Sequence, residues 1–120
     1  MERLLQRNVE RWQTQGFGIW MLRDKAHGTL LGHCGLVVNE PPDVELIYAL
    51  ARDAWGRGLA TEAAACVAQH AFATLGYERL FALVFQENRA SMRVLEKLRF
   101  VRDGEARRFG TQLLRYILYR

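Results

Sequence analysis

The segment with the most chemical content is Trp55-Gly56-Arg57-Gly58-Leu59-Ala60-Thr61. Two glycines one residue apart let a backbone turn sharply and approach a ligand closely. In the Ala-rich run 59–75, Leu59, Ala63, Cys66, Val67, His70 and Leu75 fall at helical spacing. The amides of Gly56 to Thr61 would therefore point outward at the positive end of a helix dipole, and Arg57 adds a full charge there. Pyrophosphate is the natural occupant of such a site. The same residues also suit a plain glycine turn into a helix. Two familiar phosphate motifs fail: Walker A needs Lys and Ser/Thr where Leu59-Ala60 stand, and the dinucleotide fingerprint wants a third glycine where Thr61 stands. A second constellation is Asn88-Arg89-Ala90-Ser91 followed by Leu95-Glu96-Lys97-Leu98-Arg99-Phe100. There Asn88 suits a helix N-cap and Ser91 the first turn, so capping alone accounts for both.

The elements that position these residues follow from periodicity and punctuation. Leu5, Val9 and Trp12 share a helical stripe, which predicts a helix from Glu2 to about Gln15, capped by Gly16. FGIWMLRD (17–24) and LLGHCGLVV (30–38) are apolar strand candidates joined by Lys25-Ala26-His27-Gly28. After the break at Asn39-Glu40-Pro41-Pro42-Asp43, VELIYALA (44–51) makes a third strand, so these form an antiparallel meander. The helix over 59–75 ends at Gly76, and RLFALVF (79–85) is uniformly apolar, as a central strand would be. A helix then runs from Asn88 to about Leu98 with Met92, Leu95 and Leu98 inward, and the remainder reads as two strands around Phe109-Gly110-Thr111. The expectation is a mixed α/β (α+β) domain with a mostly antiparallel central sheet and helices on both faces.

Composition narrows the function class without naming it. At 120 residues there is room for one core, so 1–120 reads as a single domain. No stretch approaches ~20 consecutive apolar residues, which argues against a membrane partner. The charged start MERLLQRNVERW lacks an apolar leader, and a cytoplasmic location is the expectation. Cys34 and Cys66 stand apart with no ligand spacing around them, so they read as buried thiols and no metal is expected. His33 and His70 read as structural. The net charge of +4 is uneven, −1 over residues 1–51 and +5 over 52–120, and the second half is the natural place for an anionic ligand. Its basic residues are dispersed among Glu, the longest run being Arg107-Arg108. Most of these arginines read as solvated, and no nucleic-acid face is expected.

Taken in order, the two segments resemble the GCN5-related N-acetyltransferase family, closest to its ribosomal-protein N-terminal acetyltransferase-like branch. Trp55 through Ala63 follow that branch's Trp-Gly-x-Gly-x-Ala-Thr-Glu-Ala residue for residue. Glu45-Leu-Ile-Tyr48-Ala-Leu50 is similar to its Glu-x-Gly-Tyr-Trp-Leu strand, and Asn88 to Phe100 to its Asn-x-x-Ser-x-x-x-x-Glu-Lys-x-Gly-Phe helix. The resemblance covers residues 44–100 and implies an acyl-CoA N-acyltransferase fold. It implies that the backbone of Tyr48, Ala49 and Leu50, on a strand splayed from its neighbour, pairs with the pantetheine and acetyl carbonyl of acetyl-CoA. The amides of Gly56, Arg57, Gly58, Leu59, Ala60 and Thr61 would hold the pyrophosphate, and Asn88 the pantetheine. The implied reaction is direct attack of a primary amine, from a protein N-terminus or a small molecule, on the thioester. It needs a base and a proton for the leaving thiolate.

The departures from the pattern matter as much. Many members carry a Tyr acid seven residues after the Asn, where this chain has Leu95, so Ser91 becomes the next candidate acid. Glu45 is the candidate base, directly or through water, although it also reads as a solvent-facing strand carboxylate. Arg99 stands where the family has Gly, which questions the backbone at that helix end. The chain is also short at its N-terminus for the family, a region that helps to build the acceptor groove. A naturally short protein, a start further upstream and a completing partner subunit, such as a homodimer mate, all fit. The rival reading is a non-catalytic acyl-CoA-binding module.

Overall fold

The computed structural model describes residues 9–14, 17–23, 27–40, 43–51 and 58–120. In chain order the elements are β1 (Val9–Thr14), β2 (Phe17–Arg23), β3 (Leu30–Glu40), β4 (Asp43–Leu50), α1 (Leu59–Ala73), β5 (Arg79–Val84), α2 (Arg89–Lys97), β6 (Val101–Arg108) and β7 (Thr111–Tyr119). The strands form one sheet in the order β1-β2-β3-β4-β5-β7-β6. β1 to β4 are an antiparallel meander, and α1 returns the chain so that β5 lies parallel to β4. β7 then inserts antiparallel between β5 and β6.

The expected mixed, mostly antiparallel architecture is what the chain adopts, with one local correction. The segment read as the end of a helix is instead β1 from Val9 to Thr14, in register with β2 from Val9↔Leu22 to Thr14↔Phe17. Residues 1–8 and Gly16, which belonged to the same helix expectation, lie outside the described residues. Val, Trp and Thr in VERWQT suit a pleated ribbon, and the edge of β2 offers a full ladder of hydrogen bonds. That ladder outweighs a short helical stripe.

The core lies against one face. Leu22, Cys34, Leu36, Val44, Leu46, Leu80, Ala82, Val84, Leu114 and Tyr116 are buried, and their shared parity along paired strands puts them on the same side of the sheet. α1 packs there through Leu59, Ala63, Ala64, Val67, Ala68 and Ala71, whose small side chains let the helix axis come close. Leu95 of α2 and the following Phe100 join the same cluster. Helices on both faces were expected; among the described residues, both helices contribute to this one cluster.

The opposite face carries charge. Glu45, only 6% exposed at its side chain, is gripped by Arg108 of β6 through two bonds: Nη1 to Oε2 and Nη2 to Oε1, each 2.9 Å. Beside it, the Arg115 guanidinium lies 5.0 Å from the centre of the Phe81 ring and 3.7 Å from the Asp103 carboxylate. The surface alternative for Glu45 therefore gives way to a buried ion pair, and Arg108 is not among the solvated arginines. Arg107 is exposed, and its only described hydrogen bond runs 3.2 Å to the Gly110 carbonyl at the hairpin turn.

The end of α2 answers the question raised by Arg99. Phe100 N–H donates to the Leu95 carbonyl and Arg99 N–H to the Glu96 carbonyl, both at 3.0 Å, the paired bonds of a Schellman stop. This stop needs a left-handed residue, and Arg99 supplies it at φ 72 without being glycine. Arg99→Gly should therefore raise stability by up to about 1 kcal/mol, after the entropy of an unfolded glycine is subtracted, measured by urea denaturation. Arg108→Met should lower stability by about 2–3 kcal/mol in the same assay, because it takes the bidentate partner from a buried carboxylate. The neighbouring Arg107→Met should stay within about 0.5 kcal/mol.

Candidate functional site

The site begins where strand pairing stops. β4 and β5 share the single register pair Glu45↔Phe81, although both strands continue beyond it. On its other side β4 remains laddered to β3 up to Gly32↔Leu50, and β5 remains laddered to β7 up to Val84↔Leu114. Among the described residues, the sheet thus opens between β4 and β5, toward their carboxyl ends. Gly32 keeps the β3 side tight: a Cβ there would lie 2.2 Å from the Ala49 carbonyl oxygen. The expected splay at Tyr48, Ala49 and Leu50 is therefore present in the backbone.

Both helices start at this end, because each follows one of the two parallel strands. Crevices at the carboxyl ends of parallel strands are where α/β sheets take ligands. α1 begins at Gly58, whose φ of 75 is left-handed and whose missing Cβ would meet nothing within 4 Å. Gly58 offers no side-chain cap, and the first turn closes only with Glu62 N–H on the Gly58 carbonyl at 3.1 Å. The N–H groups of Leu59, Ala60 and Thr61 precede that first intrahelical bond and are the natural donors to an anion. Trp55, Gly56 and Arg57 lie outside the described residues.

α2 begins at Asn88, whose Oδ1 accepts from the Ser91 N–H at 3.1 Å, as its N-cap reading requires. That bond uses the carboxamide oxygen and leaves the NH2 as the group a ligand can take. It also fixes Ser91 in the first turn. Leu95 is 1% exposed and packed in the core, so no polar group stands at the position where many relatives carry their Tyr.

The sequence reading missed one side chain here. It assigned Tyr48 a backbone role, yet the Tyr48 hydroxyl lies 2.5 Å from Ser91 Oγ and 3.4 Å from the Ser91 carbonyl oxygen. Strand parity puts Tyr48 on the helix-covered face, opposite Glu45. The two candidate catalytic side chains are thus not brought together: Ser91 pairs with Tyr48, while Glu45 points to the other face and binds Arg108. Burial pushes the Tyr48 phenol above its ordinary value, Cys34 opposite it on β3 adds to the rise, and the Ser91 hydrogen bond works against both. Cys34 is itself completely buried, which drives its thiol far up, so it stays neutral. Neither cysteine forms a disulfide; Cys34 is buried as the sequence suggests, whereas Cys66 is only half-buried.

An open polar groove lined by Gln86, Glu87, Arg89, Thr111 and Gln112 adjoins the start of α2, between it and the β6–β7 turn. Among the described residues, no three His, Cys, Asp or Glu side chains converge as a metal site, and no helix is long and apolar enough to cross a membrane.

Comparison with known proteins bears on this geometry. The sequence pattern of the Acetyltransferase (GNAT) domain matches residues 1–101. The chain is 35% identical over 96 residues to the uncharacterized protein YkkB of Bacillus subtilis (strain 168), covering 76% of this chain and 56% of that protein. The acetyltransferase from Agrobacterium tumefaciens str. C58 superposes with a TM-score of 0.77 at 31% identity, over 88% of this chain and 63% of that one. Ribosomal-protein-S5-alanine acetyltransferase from Vibrio fischeri gives a TM-score of 0.79 at 20% identity, over 86% and 61%, a likeness of fold. The chain thus spans just over half the length of that curated relative and less than two thirds of these two solved chains. With the family's sequence pattern running from the first residue through α2, and its sheet superposing on solved acetyltransferases, the chain belongs to the GNAT acetyltransferase domain family.

Proposed function

We propose that the chain binds acetyl-CoA in the opening between β4 and β5 and passes its acetyl group to a primary amine. The observation that carries this reading is the end of the β4–β5 ladder at Glu45↔Phe81, with the starts of both helices at the same end. The residues fit the ligand in kind: an unpaired strand edge for an amide-bearing arm, a left-handed Gly58 before an uncapped helix for a pyrophosphate, and an Asn88 NH2 for a further carbonyl. When bound, the cosubstrate supplies an acetyl group activated as a thioester. The chain's own part is to orient that group against β4, where N–H donors can polarise its carbonyl, and to exclude water from it. Ser91, in the first turn of α2, is the hydroxyl assigned to the departing sulfur. Glu45 is assigned to the amine's proton through a water, since both its oxygens already accept from Arg108.

A calorimetric titration with acetyl-CoA tests the binding reading, and free-thiol release with a panel of amines tests turnover. Gly58→Val should weaken acetyl-CoA binding at least about tenfold. An added Cβ meets nothing within 4 Å, so beyond the cost of left-handed backbone, at least about 1–2 kcal/mol for a β-branched residue, the fold should persist. Asn88→Asp keeps an N-cap acceptor and removes the amide donor, so it should hold thermal stability while acetyl-CoA affinity falls. Tight binding without turnover on any amine would leave a binding module and remove the catalytic claim.

A further inference from the structure

Protonation of the departing thiolate is a demand that the residue types of this site leave open. Leu95 is sealed in the core, and a lone serine hydroxyl is a poor proton source. The Tyr48–Ser91 pair meets that demand by geometry. Either hydroxyl can donate across this 2.5 Å contact; the phenol, far the more acidic, is the better donor, with Ser91 Oγ accepting. Its second acceptor is the Ser91 carbonyl oxygen at 3.4 Å, so both described polar contacts of the phenol lie on one residue. With its oxygen taken by Tyr48, Ser91 is free to turn its own hydrogen elsewhere. Its backbone N–H is held by Asn88, and Tyr48 lies on β4 beyond Glu45↔Phe81, the last pair between β4 and β5.

We propose that Tyr48 is the proton reserve of this acetyl transfer, acting through Ser91 on the leaving sulfur. The inference rests on the acetyltransferase reading above. As the amine's C–N bond forms and the C–S bond breaks, the sulfur takes the Ser91 hydroxyl proton, and Ser91 takes that of Tyr48. The tyrosinate regains a proton from solvent, into which the amine's surplus proton passes by way of the water at Glu45, so the site returns to its starting state. A phenol is protonated near neutral pH at its ordinary value, and burial moves Tyr48 further in that direction. Tyr48 is thus a positioning residue, and Ser91 is the group that meets the sulfur.

The experiment compares the full chain with Tyr48→Phe, Ser91→Ala and Ser91→Thr. Acetyl-CoA affinity comes from calorimetry, kcat and KM from thiol release, and the ionised fraction of bound CoA thiol from its ultraviolet thiolate absorbance. Ser91→Ala should lower kcat about a hundredfold and Tyr48→Phe about tenfold, each with acetyl-CoA affinity within about twofold of the parent. Ser91→Thr, which keeps the hydroxyl, should retain most of kcat. Loss of the hydrogen bond should raise the pKa of the bound CoA thiol by about one unit in both Tyr48→Phe and Ser91→Ala. An unchanged kcat and thiol pKa in Tyr48→Phe, or a loss confined to KM, would overturn the assignment. A parent chain that does not bind CoA at all would overturn the acetyltransferase reading beneath it, which separates the two failures. If Tyr48→Phe does not fold, Ser91→Thr behaving like Ser91→Ala still defeats the relay.

Discussion

The site depends on an interruption of backbone hydrogen bonding. Two parallel strands that remained paired along their length would give a closed sheet with no place for a ligand arm. β4 and β5 meet in register only at Glu45↔Phe81. The unpaired edge is a liability in most proteins, since exposed strand edges invite nonspecific pairing. It is tolerated because the outer sides of both strands stay fully laddered and Gly32 lets β3 come within backbone contact of β4. Every group assigned to ligand binding then follows from chain connectivity. α1 leaves the end of β4, α2 leaves the end of β5, and both bring unpaired N–H groups to the opening.

The chemistry is divided between the two faces of β4. On the helix-covered face, Tyr48 and Ser91 form a neutral hydroxyl pair under apolar cover, suited to holding a proton. On the other face, Glu45 and Arg108 form a charged pair, and Arg115 stacks on Phe81 beside it. A strand carries both because its side chains alternate, and the odd separation of Glu45 and Tyr48 sends them apart. The split keeps the carboxylate's charge away from the phenol, whose neutrality is the property the relay uses.

Much of this was legible in the sequence where the signal was local. Ala-rich periodicity placed α1, Asn88 and Ser91 marked the start of α2, and Gly58 marked the turn into α1. What escaped was nonlocal. Val9–Thr14 carries a helical stripe, and only the presence of the β2 edge makes it a strand. Arg108 lies 63 residues from Glu45, and nothing in Arg107-Arg108 distinguishes the paired arginine from the solvated one. Tyr48 was singled out for its backbone alone, and nothing local in its strand sets its hydroxyl apart; the missing hydroxyl at Leu95 was the hint that one had to come from elsewhere. Arg99 was visible as a departure from glycine, but only the Schellman hydrogen bonds reveal that the backbone keeps the left-handed turn regardless.

The two pairs that flank β4 have a mechanical consequence. Tyr48 is tied to α2 on one side of the strand, and three residues earlier Glu45 is tied to β6 on the other. A rod held by opposed guys cannot roll about its own axis without slackening one of them. Both ties run to the far side of the opening, since α2 follows β5 and β6 is laddered to β7, the neighbour of β5. Where backbone bonds lapse between β4 and β5, side chains stitch the seam, a neutral pair on one face and a charged pair on the other.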